Sequence, residues 1–143
     1  MVKILIVEDN FFLKKALEEK LSNFSDIVIK DTAQNGEEAI AILEKNHVVD
    51  LILMDIEMPV MNGIKATEII KSKYPQIKIV MITVFDNDDN VFNAIKAGAD
   101  GYLLKETKAE KIYEAIIETL AGGAAMSPSI AMKTLKLLKN PIA

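Results

Sequence analysis

Short apolar runs and amphipathic stretches alternate along this chain. The runs at 3–7, 27–30, 51–54, 77–83 and 101–104 have the length of strands. "ILIV" and "LILM" are apolar throughout, the composition of strands buried on both faces, and are predicted to lie inside a sheet. "GYLLK" mixes polar and apolar residues and is predicted at an edge. Between the runs, apolar residues recur at helical spacing. They are Leu13, Leu17 and Leu21 within 11–24, Ala39, Ile40 and Leu43 within 36–45, and Ile112, Ala115, Ile116, Thr119 and Leu120 within 108–121. The segments 64–73 and 88–97 read as helices too. Strand and helix alternate five times, which predicts an α/β domain with a parallel sheet covered on both faces. Beyond Gly122-Gly123 the pattern changes to a loop, a helix starting near Ser127 with Pro128 in its first turn, and a tail.

Composition mainly excludes. The chain has 143 residues, the size of one domain, and its make-up of 50% hydrophobic and 27% charged residues is globular. It has no cysteine, which removes disulfides, thiol nucleophiles and thiolate metal sites, and suits a reducing cytoplasm. The opening "MVKILIVEDN" is too short in its apolar part for a signal-peptide core. No stretch approaches the ~18 apolar residues of a membrane span, so no membrane association is expected. A net charge of −4 and a pI of about 5.1 argue against nucleic-acid binding by these residues alone.

The strand ends carry the chemistry. In an open parallel α/β sheet, sites form beyond the carboxyl ends of the strands. The first run ends in Glu8-Asp9, the third in Asp55, the fourth in Thr83, and the fifth is followed by Lys105. Singly, each has a plain explanation: Asp9 as a helix cap, Thr83 as ordinary strand chemistry, Lys105 as a solvated loop lysine. Together they put three carboxylates, a hydroxyl and an ammonium on one rim. Two carboxylates ~5 Å apart at an effective dielectric of ~20 repel by roughly 3 kcal/mol, so the group calls for added positive charge. All-oxygen donors favour a hard cation, Mg²⁺ or Mn²⁺. A carboxylate beside such a cation and a lysine is equipped to accept a phosphoryl group.

The motifs "VEDN" at 7–10, "LMDIEMPVMNG" at 53–63, "MIT" at 81–83 and "KAGADGYLLK" at 96–105, in this order and spacing, resemble the receiver domain of bacterial two-component response regulators. The resemblance covers 1–123. It implies a flavodoxin-like, doubly wound five-stranded sheet of order 2-1-3-4-5. It further implies that Asp55 is phosphorylated by a sensor histidine kinase. Asp9 and Asp55 would bind Mg²⁺ (or Mn²⁺), with Glu8 helping through water and the backbone carbonyl of Glu57 completing the ligands. Lys105 would contact the phosphoryl group, with Thr83 as switch hydroxyl and Tyr102 as the aromatic that turns with it. A homodimer on phosphorylation is in keeping with the family. No enzyme activity is expected beyond self-phosphorylation and self-dephosphorylation at the aspartate.

"TVFD" with "GYLLKET" and "AGGAAMSPSIA" is most similar to the NarL/FixJ group, whose output is a LuxR-type helix-turn-helix. The segment 124–143 is then expected to be a linker with a short helix, leading to a DNA-binding domain absent from this chain. Its Lys133, Lys136 and Lys139, with Ile130, Leu135, Leu137 and Leu138 as apolar partners, cannot build a helix-turn-helix alone. Two departures from the common receiver pattern stand out: Glu106 follows Lys105 where proline is frequent, and Val84 is bulky for its place.

Two other readings compete. A stand-alone phosphorelay module would share the site and lack an output domain. A phosphohydrolase of the haloacid-dehalogenase kind would also form an aspartyl phosphate. It wants a second Asp two residues after the nucleophile, where this chain has Glu57. The single histidine, His47, reads as a surface residue, Met54, Met58 and Met61 as packing residues, Gly98 as a helix C-cap and Gly101 as a turn. Neither GxGxxG nor GxxxxGK[ST] occurs, so nucleotide-binding readings have little support.

Overall fold

The computed structural model describes residues 1–140; the last residues of the expected tail, 141–143, lie outside the described residues. The elements run β1 (Val2–Val7), α1 (Phe11–Leu21), β2 (Ile27–Ala33), α2 (Gly36–Lys45), β3 (Leu51–Met54), α3 (Gly63–Lys73), β4 (Lys78–Thr83), α4 (Asp88–Ala97), β5 (Gly101–Leu104), α5 (Ala109–Leu120) and α6 (Pro128–Lys139). The sheet is parallel with order β2-β1-β3-β4-β5, as expected.

The two-residue period of a strand sends alternate side chains to opposite faces. Leu5, Val7, Ile52, Met54, Ile79, Met81 and Tyr102 point to one side, where Ala39 and Leu43 of α2, Ala66 and Ile70 of α3 and Val91 and Ala94 of α4 cover them. Ile4, Ile6, Leu51, Leu53, Val80, Ile82 and Leu103 point to the other, under Leu17 and Leu21 of α1 and Ile112, Ala115 and Ile116 of α5. Double coverage is what makes "ILIV" and "LILM" apolar at every position.

Several boundaries differ from the sequence reading. β2 runs to Ala33, not to residue 30, because Lys30 and Asp31 are exposed at the sheet margin and a buried-run criterion cannot see them. α1 stops at Leu21, where the backbone N–H of Ser22 closes on the carbonyls of Glu18 and Glu19. Gly98 is the left-handed C-cap of α4, with φ of 108°. Gly101 is not a turn residue. It opens β5, and a Cβ there would lie 2.7 Å from the Ala125 carbonyl oxygen.

That close approach marks a feature the pattern did not foretell. The 125–127 segment runs beside β5: Tyr102 donates its N–H to Ala125 O (2.8 Å), Ser127 donates to Tyr102 O (3.1 Å), and Leu104 N–H donates to Ser127 Oγ (3.1 Å). From there α6 folds onto α4. Ile130 is fully buried in the core beside Tyr102, Leu137 packs on the same cluster, and Lys133 reaches Asp88 of α4 at 3.4 Å. Leu135 and Leu138, expected as apolar partners, face solvent instead.

Candidate functional site

Strand register builds the site. Parallel pairing sets Val7 beside Met54 and Thr83 beside Leu104. The next residue along three strands is Glu8, Asp55 or Lys105, so these emerge on one rim with Thr83. The ladders continue one step past the strands: Asp55 N–H donates to Val7 O and Lys105 N–H to Thr83 O, each at 3.0 Å.

Each polar group has a defined setting. Asp55 is 4% exposed; its Oδ1 accepts the Ile56 N–H at 2.8 Å and its Oδ2 lies 3.3 Å from the Lys105 ammonium. The same ammonium pairs with Glu8 Oε1, and Glu8 Oε2 accepts the Asn10 N–H at 3.0 Å. Glu8 is as buried as Asp55, whereas Asp9 is exposed. Asp9 does not cap α1, because Asn10 does so, accepting the Leu13 N–H at 3.0 Å. The Asp9 carboxylate is therefore left to the rim, where it shares a shallow open pocket with Glu57.

One carboxylate oxygen from each of Glu8, Asp9 and Asp55 lies within 4.8 Å of the others. Three carboxylates face a single ammonium. All donors are oxygens, two are buried and one is open to solvent, so the cluster fits a hard divalent cation with a partly hydrated face. Burial, first of all, pushes the Glu8 carboxyl up to about 7; the Asp55 charge adds to this, and the bonds from Lys105 and the Asn10 N–H oppose it.

The sign for stability comes from linkage. Folded Glu8 holds its proton to a higher pH than the unfolded chain does, so stability falls as pH rises from about 4.5 to about 7. Thermal melts across that window in metal-free buffer should show this downward slope in the wild type and a shallower one in Glu8→Gln. Equal slopes would mean that Glu8 is not strained by its surroundings.

Thr83 and Tyr102, expected as switch residues, both meet Phe85. Thr83 Oγ1 accepts the Phe85 N–H at 3.2 Å. Tyr102 is 1% exposed and its hydroxyl donates to the Phe85 carbonyl. Burial holds the Tyr102 phenol above its usual range, with Asp86 and Asp55 adding to it. The ring is thus turned in, and the loop after Thr83 is tied to both groups.

Some features were not singled out from the sequence. Val60 has φ of 70°, with Met61 N–H donating to Pro59 O at 2.8 Å: a positive-φ γ-turn at a β-branched residue, a strained geometry. It presents Met61 O to the Gly36 N–H at 3.0 Å, tying the loop after Asp55 to α2. Lys20 reaches the loop after Lys105. Nothing in the local sequence separates Lys20 from Lys14 and Lys15 of the same helix. His47, by contrast, is an exposed residue stacked on Tyr74, with centroids 5.2 Å apart. Among the described residues no peptide bond is cis, so Lys105-Glu106 is trans. No helix among them is long and apolar enough to cross a membrane.

Known proteins share the sequence family and the fold of this chain. A family model described as the response regulator receiver domain matches residues 4–117. Response regulator protein VraR of Staphylococcus aureus is 39% identical over 141 residues, which is 97% of this chain and 66% of that protein. The chain thus spans just under two thirds of the length of the curated relatives it matches. A solved LuxR-family two-component response regulator from Aurantimonas sp. SI85-9A1 superposes with a TM-score of 0.89 at 25% identity, covering 98% of this chain and 99% of that one. A LuxR-family DNA-binding response regulator from Staphylococcus aureus gives a TM-score of 0.78 at 28% identity over 84% of this chain and 99% of that one.

Proposed function

We propose, because the chain belongs to the response regulator receiver domain family, that Asp55 accepts a phosphoryl group and that this event resets the surface around Tyr102. The chain is a receiver domain of the LuxR-family, NarL/FixJ kind. The observation that carries the site assignment is the setting of Asp55: a buried carboxylate, oriented by a backbone N–H on one oxygen and an ammonium near the other, within reach of two further carboxylates.

The donor is a phosphohistidine of a sensor histidine kinase. An oxygen of Asp55 attacks phosphorus, an O–P bond forms as the donor's P–N bond breaks, and the departing imidazole takes a proton from water. Asp9, Asp55, the Glu57 backbone carbonyl and, through water, Glu8 would hold a hard divalent cation, Mg²⁺ or Mn²⁺, which would supply positive charge near the phosphoryl oxygens. Lys105 gives up its partnership with Asp55 and meets the incoming phosphoryl oxygens. Glu8 keeps the ammonium on the rim while this happens.

The Thr83 hydroxyl is then drawn toward the phosphoryl group, away from the Phe85 N–H. Since Phe85 also accepts from Tyr102, the change reaches α4, β5 and the segment after α5. Residues 1–123 form the receiver, and 124–143 lead toward an output domain of helix-turn-helix character, through which alone DNA is contacted. Dimerisation follows phosphorylation, and the protein works in the cytoplasm.

Acetyl phosphate with Mg²⁺ should add one phosphoryl group to the wild type, labile to acid, base and hydroxylamine as an acyl phosphate is, and mapped to Asp55 by peptide mass spectrometry. Lys105→Ala should bind the cation yet label about 100-fold more slowly. Mapping of the group to any other residue would overturn the assignment.

A further inference from the structure

Lys20 lies in the last turn of α1, outside the rim. Leu13, Ala16, Leu17 and Lys20 form one row along that helix, and a lysine in such a row points its stem back toward the helix N-terminus. The row lines a cavity of about 60 Å³ whose far wall contains Glu8, Ile82 and Lys105. Ala16 is the small member of the row. The Lys20 ammonium donates to Thr107 O at 3.1 Å and approaches Lys105 O at 3.4 Å.

The turn it touches has few other restraints on that side. Inward, Lys105 N–H is bound to Thr83 O, and Thr107 fastens its N–H and hydroxyl to Leu104 O. Outward, Glu106 is exposed, and Lys108 at the start of α5 makes no side-chain capping bond. The carbonyls of Lys105 and Thr107 are the groups Lys20 takes up, with charge-assisted bonds.

We propose that Lys20 is a positioning residue for phosphoryl transfer: by holding the 105–107 backbone it keeps the Lys105 ammonium between Glu8 and Asp55. It does not touch the reacting atoms and acts through Lys105. The proposal rests on the reading of Asp55 as phosphoacceptor.

The test is the labelling rate with acetyl phosphate at saturating Mg²⁺, as a function of donor concentration. Lys20→Met keeps the apolar stem and removes the donor. It should lower the rate at saturating donor about tenfold, with the half-saturating concentration nearly unchanged, as loss of orientation does. Lys20→Arg should recover most of the rate. Lys20→Gln, a shorter stem with a neutral donor, should fall between the two. In a Lys105→Ala background, Lys20→Met should slow labelling no further, because two residues acting as one unit are not additive.

An equal fall with and without Lys105 would overturn the proposal by making Lys20 a packing residue only. So would a lowered melting temperature with an unchanged rate. A wild type that takes no label would instead overturn the phosphoacceptor reading itself, and this proposal with it.

Discussion

Asp55→Asn should take up no phosphoryl group, with labelling by acetyl phosphate reduced about 10⁴-fold or more. Asparagine has nearly the same shape, and its carbonyl oxygen can still accept the Ile56 N–H that Oδ1 accepts at 2.8 Å. What it lacks is the anionic oxygen that attacks phosphorus, and an amide does not substitute for it. Folding should survive. The pair with Lys105 at 3.3 Å is lost, but so is repulsion from Glu8 and Asp9, so the unfolding free energy should stay within about 1 kcal/mol of wild type in metal-free buffer. Intact mass and a denaturant melt on one sample separate the two effects. Labelling of the variant at the wild-type rate would move the acceptor elsewhere, with exposed Asp9 the first candidate.

Gly63→Ala should be among the most damaging single methyl groups in the chain. Gly63 begins α3, and its N–H donates to Ile56 O at 2.7 Å. A Cβ there would collide with the Asp55 carbonyl oxygen and stand 2.8 Å from its carbonyl carbon and 2.9 Å from Met54 Cγ. Two of these neighbours are backbone, so no rotamer change relieves the contact. Either α3 lifts away from β3 or Asp55 is pushed out of line. Overpacking of this kind costs about 3 kcal/mol or more, a fall in melting temperature of about 10 °C. The labelling rate of the folded fraction should fall as well, since the displaced backbone is that of the acceptor. A variant that melts like wild type would show that the helix start moves freely.

The reason the site could be read from sequence is geometric. Parallel strands share a direction, so polar residues closing successive apolar runs must share a rim. That logic brought Glu8, Asp9, Asp55, Thr83 and Lys105 together before any contact was known, and the register places them there. The sheet order came from family resemblance, since periodicity carries no information about which strand lies beside which. The polar half of β2 was hidden because a margin strand need not be apolar. Lys20 was hidden because a helix lysine bonded to a distant loop has the same local sequence as a solvated one. The docking of α6 was legible only in part. Its apolar residues showed that it needed a surface, but Ile130 and Leu137 found one while Leu135 and Leu138 did not.

The segment that runs beside β5 also protects the chain from itself. A strand at the margin of a sheet normally offers a row of free N–H and C=O groups to any extended peptide, its own copies included. Here Ala125 and Ser127 occupy both backbone groups of Tyr102 and the N–H of Leu104. The opposite margin is guarded differently, by the exposed charges of Lys30 and Asp31 on β2. The residues just after Gly123 therefore do more than lead into α6. Cutting there would bare three polar groups on the β5 margin and the apolar seat of Ile130 together, and a well-behaved receiver would become a template for strand addition.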